Sequence, residues 1–318
     1  MLKFTTHSML YISKLLEEKI KSLDANDTVE FEVLNPDVVR STYAGNLIEV
    51  RDIHYLYHGY KAWSDLAEIL KCRMLTPLLQ DDYLVIIRYQ KLNADISFHK
   101  STDTAEFKYG SDSIFSQIHK MQEPAFLHYY IQALKNVNIN QRTRILNLGI
   151  NSGDEFECIK EYSDAFENLE LVGIDYCNSA VENAKTKFID DKNIQLYTHD
   201  INDLDSLHLG EFDLIISIGT LQSSNLEFNP LLMSIVKNQL KRDGAIILGF
   251  PNCRWLDGEM IYGARAKHYP FSEMSNVYKD AIFAKKYLQQ KKYRVSITGK
   301  EYIFLTATSI RKDKSFAI

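Results

Sequence analysis

The apolar positions of this chain change rhythm near residue 100. Before it, Met9, Leu10, Ile12, Leu15, Leu16, Ile20 and Leu23 recur at helical spacing and predict an amphipathic helix over 7–24. Residues 28–34 predict a strand, and NLIEVRDIHYLYHGY predicts a hairpin turning near Arg51–Asp52. A helix over AWSDLAEILKCRML, ended by Pro77, and a strand over YLVIIRYQ complete a small α+β unit. The polar stretch 93–113 then carries the turn-prone residues of a connector.

Beyond the connector, short apolar runs alternate with helices. A helix over 123–137 opens with Pro124 in its first turn. Runs 144–148, 169–174, 194–198, 212–218 and 244–250 predict five strands, with helices over 153–163, 178–189 and 226–241. Strands buried on both faces read as continuous apolar runs, so this pattern predicts a parallel sheet covered by helices on both sides. After a helix over 275–290, YRVSIT and YIFLTATSI flank Gly299–Lys300 as an antiparallel hairpin. The expected organisation is an N-terminal α+β unit over 1–100, a connector and cap helix over 101–140, and an α/β domain over 141–318.

Length agrees with that division, since 318 residues at roughly 150 per domain make two. Glycine usage sharpens it: Gly45, Gly59 and Gly110 stand alone before Gly149, and the remaining ten of the 13 run from Gly149 to Gly299. With 37 basic and 42 acidic residues the net charge is −5, which argues against a large nucleic-acid footprint. Cys72, Cys158, Cys177 and Cys253 are scattered without a CxxC spacing, and read as reduced thiols instead of a disulfide framework or zinc site. The first residues lack the apolar core of a signal peptide, and no run approaches the roughly 18 apolar residues of a membrane span. The expectation is a cytoplasmic protein without a membrane partner.

In an open α/β sheet, ligands bind beyond the carboxyl ends of the strands. After the first strand, LNLGINSGDEF places Gly149 and Gly153 around a tight strand-to-helix turn, where a ligand can lie against bare backbone. The loop lacks both the dinucleotide pattern G-x-G-x-x-G and the GK[ST] of a triphosphate loop. Asp175 ends the second strand, where a carboxylate can accept bonds from two ribose hydroxyls. Asn178 and Ser179 are at least as well placed to cap the helix that follows. Asp200 ends the third strand. The fourth is followed by SIGTLQSS, which is small and polar and has no carboxylate.

Together these loops resemble the class I S-adenosylmethionine-dependent methyltransferases over about 140–310, terminal hairpin included. The resemblance implies a seven-stranded Rossmann-like sheet in an α/β fold, with S-adenosylmethionine as cofactor. By it, Asn147, Gly149, Asn151 and Gly153 would surround the methionine portion and Asp175 would hold the ribose. Tyr176 would cover one adenine face, Asp200 and the backbone of Ile201 would recognise adenine, and Ser217 and Gly219 would line the sulfonium. Two positions depart from the family pattern: Asn147 replaces the acid usual within the first strand, and Asn151 replaces the middle glycine.

Acceptor candidates lie outside those loops. The stretch 250–271 shows little periodicity, a length associated with lids and binding loops. It carries Arg254 as a substrate contact and His268 and Tyr269 as catalytic candidates. Residues 107–124 are expected to cap the cofactor cleft, with Tyr109, Gln117 and His119 facing substrate. The aromatic run HYLYHGYKAW (54–63) reads as core or as a substrate wall, and Lys285, Lys286, Lys291, Lys292 and Arg294 as a solvated helix face. The expected activity is methyl transfer to oxygen or nitrogen of a small-molecule or protein acceptor. Two alternatives stand beside it: a protein that binds the cofactor without chemistry, and a tRNA-modifying methyltransferase gripping RNA through the lysine run.

Overall fold

Residues 1–97, 110, 113–223, 225–263 and 274–311 are described by the structure, a computed structural model, with backbone alone at 274–277. Met1–Ser97 and Trp255–Tyr262 form one compact unit, and the rest of the described chain forms a second.

In the first unit, β1 (Leu2–Lys3) leads to α1 (Met9–Lys21), whose N-terminus is capped by Ser8 accepting from the Tyr11 N–H. Ile12, Leu16 and Ile20, spaced i, i+4, are its buried stripe. Next come β2 (Thr28–Leu34), a hairpin of β3 (Leu47–Val50) and β4 (Ile53–Leu56), α2 (Tyr60–Ile69), β5 (Cys72–Leu79) and β6 (Leu84–Lys91). Arg51 and Asp52 both have positive φ at the hairpin turn, as the sequence led us to expect. The main sheet runs β1-β2-β6-β5. Val85, Ile87 and Tyr89, alternate residues of β6, are buried with Phe31, Trp63, Leu66 and the α1 stripe. Within that core the Tyr89 hydroxyl donates to the Trp63 carbonyl at 2.6 Å. His58 and Trp63 of the aromatic run are therefore packing residues, both nearly sequestered from solvent.

One expectation fails here. The helix expected to run to Pro77 stops at Ile69, and Cys72–Leu79 is a strand instead. Lys71, at φ +57°, turns the chain out of the helix. Pro77 then lies on an edge strand where the register with β6 shifts between Leu75 and Leu78, a place that tolerates a missing N–H.

The second unit reaches back to include α3 (Pro124–Asn136). It continues through β7 (Arg144–Leu148), α4 (Asp154–Tyr162), β8 (Glu170–Asp175), α5 (Asn178–Lys187), β9 (Ile194–Thr198), β10 (Phe212–Ile218), α6 (Phe228–Asn238) and β11 (Leu240–Pro251). After that strand the chain enters a two-stranded hairpin, β12 (Cys253–Leu256) and β13 (Glu259–Tyr262). It then returns through α7 (Met274–Gln290), β14 (Tyr293–Gly299) and β15 (Tyr302–Ser309). The seven-stranded sheet has the order β14-β15-β11-β10-β7-β8-β9. All neighbours are parallel except β15, which is antiparallel to both β11 and β14. This is the Rossmann-like methyltransferase sheet that the resemblance implied.

Strand alternation sorts the core. Leu146 and Leu148 of β7, with Leu305 and Ala307 of β15, pack against α6 and α7. Phe304 faces the other way, meeting Phe126 of α3 at 5.3 Å between ring centroids. Asn147 lies between Leu146 and Leu148, so it falls on that second face.

The stretch 250–271, expected as an irregular loop, is a hairpin over its described part. Asp257 and Gly258 form its turn, both at positive φ. Trp255–Tyr262 belongs to the first unit: Leu256 and Ile261 pack with Leu92, and the Asp257 carboxylate accepts from the Asn93 N–H at 2.9 Å. Arg73 ion-pairs with Glu259 and donates to the Asp257 carbonyl at 2.8 Å. Apolar packing and an ion pair hold the segment down, which is why it does not behave as a free loop.

Candidate functional site

Beyond the carboxyl end of β7 the chain makes a turn that needs unusual backbone. Gly149, Asn151 and Gly153 all have positive φ, at +83°, +45° and +88°. Gly149 also answers to a close neighbour: a Cβ there would lie 1.8 Å from Thr220 Oγ1. The Gly149 and Ile150 N–H groups both donate to the Ile174 carbonyl, at 2.8 and 3.0 Å, and tie the loop to the end of β8.

Asp175 completes that tie. One carboxylate oxygen accepts from the Asn151 N–H at 2.9 Å, the other from the Cys177 N–H at 2.9 Å. Burial pushes its carboxyl above the ordinary range, while the N–H groups of Cys177, Asn151 and Tyr176 pull the other way. A carboxylate oxygen has more than one acceptor site, so each retains capacity toward a hydroxyl. The helix cap that competes with a ligand role is absent, because Cys177 precedes α5 without a side-chain cap and Asn178 accepts from the Thr198 hydroxyl.

The other expected residues are distributed unevenly. Asn147 is buried and its Nδ2 has no acceptor among the described residues. An unpaired buried amide costs about 1–3 kcal/mol, a deficit that a ligand or water would relieve. Tyr176 is exposed. Asp200 accepts from the backbone and side-chain nitrogens of Asn202, at 2.9 and 3.1 Å, and so caps the turn beginning at Ile201. The buried Ser217 hydroxyl donates to the Leu148 carbonyl at 3.1 Å, and Gly219 has φ +74° beside Pro251 and Tyr302. Arg254 Nη1 donates to the Gly263 carbonyl at 2.8 Å. Tyr109, His268 and Tyr269 lie outside the described residues.

A cleft of about 340 Å³, counting space open to solvent, lies over the glycine turn. It is lined by residues 149–152, Asp154 and Glu155 and by Phe115, Ser116, Ile118 and Lys120. Part of the described portion of the segment expected to cap the cleft, residues 110 and 113–124, thus lines it, while Gln117 and His119 are exposed and outside the lining.

Glu155 and Lys120 are the polar groups that the sequence reading passed over. Glu155 sits in the first turn of α4 at 5% exposure, on the same helix face as buried Ile159. A carboxylate spaced i, i+4 with the apolar stripe was the available signal. Burial raises its pKa; the Lys120 charge opposes that rise and Asp154 adds to it. A carboxyl raised in the folded state contributes most below its unfolded value, and that contribution is lost as pH climbs through the folded value. The ligand-free Glu155→Gln variant is therefore expected to melt higher than wild type at pH 7. The difference should close as pH falls toward the ordinary 4.5, read by thermal denaturation at both pH values. An unchanged difference would mean that the carboxylate is solvated.

The family described as "Methyltransferase domain" matches residues 139–298, half of the chain. No curated protein sequence matches it. Among solved structures, a SAM dependent methyltransferase from Aquifex aeolicus is 16% identical, covering 61% of this chain and 98% of that one, at a TM-score of 0.43. The N-methyltransferase NodS from Bradyrhizobium japonicum WM9, in complex with S-adenosyl-L-homocysteine, is 13% identical, with coverages of 60% and 91% and a TM-score of 0.42. The N-terminal domain of EvdMO1 with SAH bound is 17% identical, with coverages of 59% and 82% and a TM-score of 0.39. The family match spans the strands that carry the glycine turn and the acid ending β8, and on it the chain belongs to the methyltransferase domain family, as a class I S-adenosylmethionine-dependent member.

Proposed function

We propose that this protein transfers a methyl group from S-adenosylmethionine to oxygen or nitrogen of a small molecule or a protein side chain. The observation that carries the reading is the half-buried Asp175 carboxylate, bonded to the glycine turn through Asn151 N–H. That pairing joins a hydroxyl-accepting group to bare backbone at the strand ends, a combination suited to a nucleoside with an attached chain. Asp175 would accept from the ribose hydroxyls, and the turn from Gly149 to Gly153 would lie along the methionine portion. Ile201 opens a helical turn whose first N–H has no intrahelical acceptor, and with Asp200 it would meet adenine. The bound cofactor supplies a methyl carbon already activated by its sulfonium. The chain's own task is then to align the acceptor and exclude water, and a base is needed only for an acceptor that carries a proton.

The N-terminal unit, with its own core, is the part of the chain we assign to acceptor selection. The acidic net charge favours a small molecule or protein over nucleic acid as acceptor. Calorimetry of the full chain with S-adenosylhomocysteine tests the cofactor site, with affinity expected in the micromolar range. Absence of binding at millimolar ligand would overturn the reading.

A further inference from the structure

The cleft over the glycine turn is lined by two opposite charges, Glu155 and Lys120, and neither makes an ion pair among the described residues. Glu155 is nine-tenths buried yet lines the cleft, and among the described residues its carboxylate has no ion-pair partner. Its neighbour Asp154 differs, being paired with Lys187 at 3.0 Å. Lys120 lines the same cleft, its ammonium 5.8 Å from the Tyr302 ring and 6.0 Å from the Phe115 ring, and its charge acts on the Glu155 and Asp175 carboxyls without an ion pair among the described residues. The position of Glu155 in the first turn of α4 offsets part of the cost of burying a carboxylate. Burial nonetheless still raises its carboxyl, so the helix end does not fully compensate it.

A cationic sulfonium ligand gains nothing from a lysine in its cleft unless that lysine finds an anion on the ligand. S-adenosylmethionine offers one, because its amino-acid end carries an ammonium and a carboxylate on one carbon. We propose that Glu155 and Lys120 clamp this zwitterion, Glu155 accepting from the ammonium and Lys120 donating to the carboxylate. The inference rests on the cofactor reading above and adds to it the pair of side chains that distinguishes an α-amino acid from a bare thioether. Both contacts are charge-assisted, the stronger kind of hydrogen bond.

The test compares two ligands that share the adenosine and thioether and differ in the amino acid. Calorimetry of the full chain with S-adenosylhomocysteine and with 5′-methylthioadenosine should show the former bound more tightly. Glu155→Gln should weaken S-adenosylhomocysteine by about 10–100-fold and leave methylthioadenosine unchanged. Lys120→Met should reproduce that selectivity. Equal wild-type affinity for the two ligands would overturn the clamp and leave the adenosine site standing. Equal losses for both ligands in Glu155→Gln would reduce Glu155 to a structural group and overturn it too. Binding of neither ligand to wild type would remove the cofactor site, and the clamp with it.

Discussion

Asp175→Ala is expected to weaken S-adenosylhomocysteine by about 10²–10⁴-fold, because two kinds of bond disappear together. The ribose hydroxyls lose a charged acceptor, at about 1.5–3 kcal/mol per bond. The glycine turn also loses its anchor, since Asn151 N–H and Cys177 N–H both donate to this carboxylate at 2.9 Å. Asp175→Asn separates the effects: it keeps one oxygen for the turn and forfeits the charge, so it should fall between wild type and alanine. Calorimetry gives the affinities, and circular dichroism confirms that each variant is folded. Wild-type affinity in the alanine variant would remove Asp175 from the site.

Gly149→Ala should be strongly destabilising to the second unit. A left-handed backbone costs a non-glycine residue about 1 kcal/mol or more, and the new Cβ would fall 1.8 Å from Thr220 Oγ1. The backbone cannot easily retreat, because the Gly149 N–H is bonded to the Ile174 carbonyl at 2.8 Å. A loss of about 3 kcal/mol or more, or about 6–12 °C in melting temperature, is expected. Adding Thr220→Gly removes the overlap and leaves the backbone cost, so the double variant should regain about half of the loss. A double variant as unstable as Gly149→Ala would show that the contact with Thr220 is not the cause.

Much of the second unit could be read before folding, for a physical reason. Strands covered on both faces read as largely apolar runs, so ILNL, LVGI, DLIISI and AIILGF announce a parallel sheet. The first unit was harder. Its α2–β5 boundary is set by one positive φ at Lys71, and lysine carries no signal for that conformation. The β12–β13 hairpin did carry a signal, the Asp257-Gly258 turn, but its four-residue strands are too short to show a period. In the site, Gly149, Gly153 and Asp175 stand next to strand ends and were legible from sequence spacing. Glu155 and Lys120 were not, because a charged residue in a first helical turn usually faces water. What buries Glu155 against the cleft is tertiary packing, of which its i, i+4 spacing to Ile159 is the one local trace.

The discontinuity of the first unit also orders events in time. Leu92 and Arg73 emerge from a ribosome early, but the hairpin that covers them, Trp255–Tyr262, follows about 160 residues after Leu92 and about 180 after Arg73. At about 5–20 residues per second the wait is on the order of ten to thirty seconds. During it, most of the seven-stranded sheet is synthesised while the apolar Leu92 site has no cover. The nascent first unit can thus gather its α1–β2–β6 core early, yet finish only after β11 has been made. A chain stalled between β11 and the hairpin should present this patch to chaperones and proteases, whereas one stalled beyond Tyr262 should not.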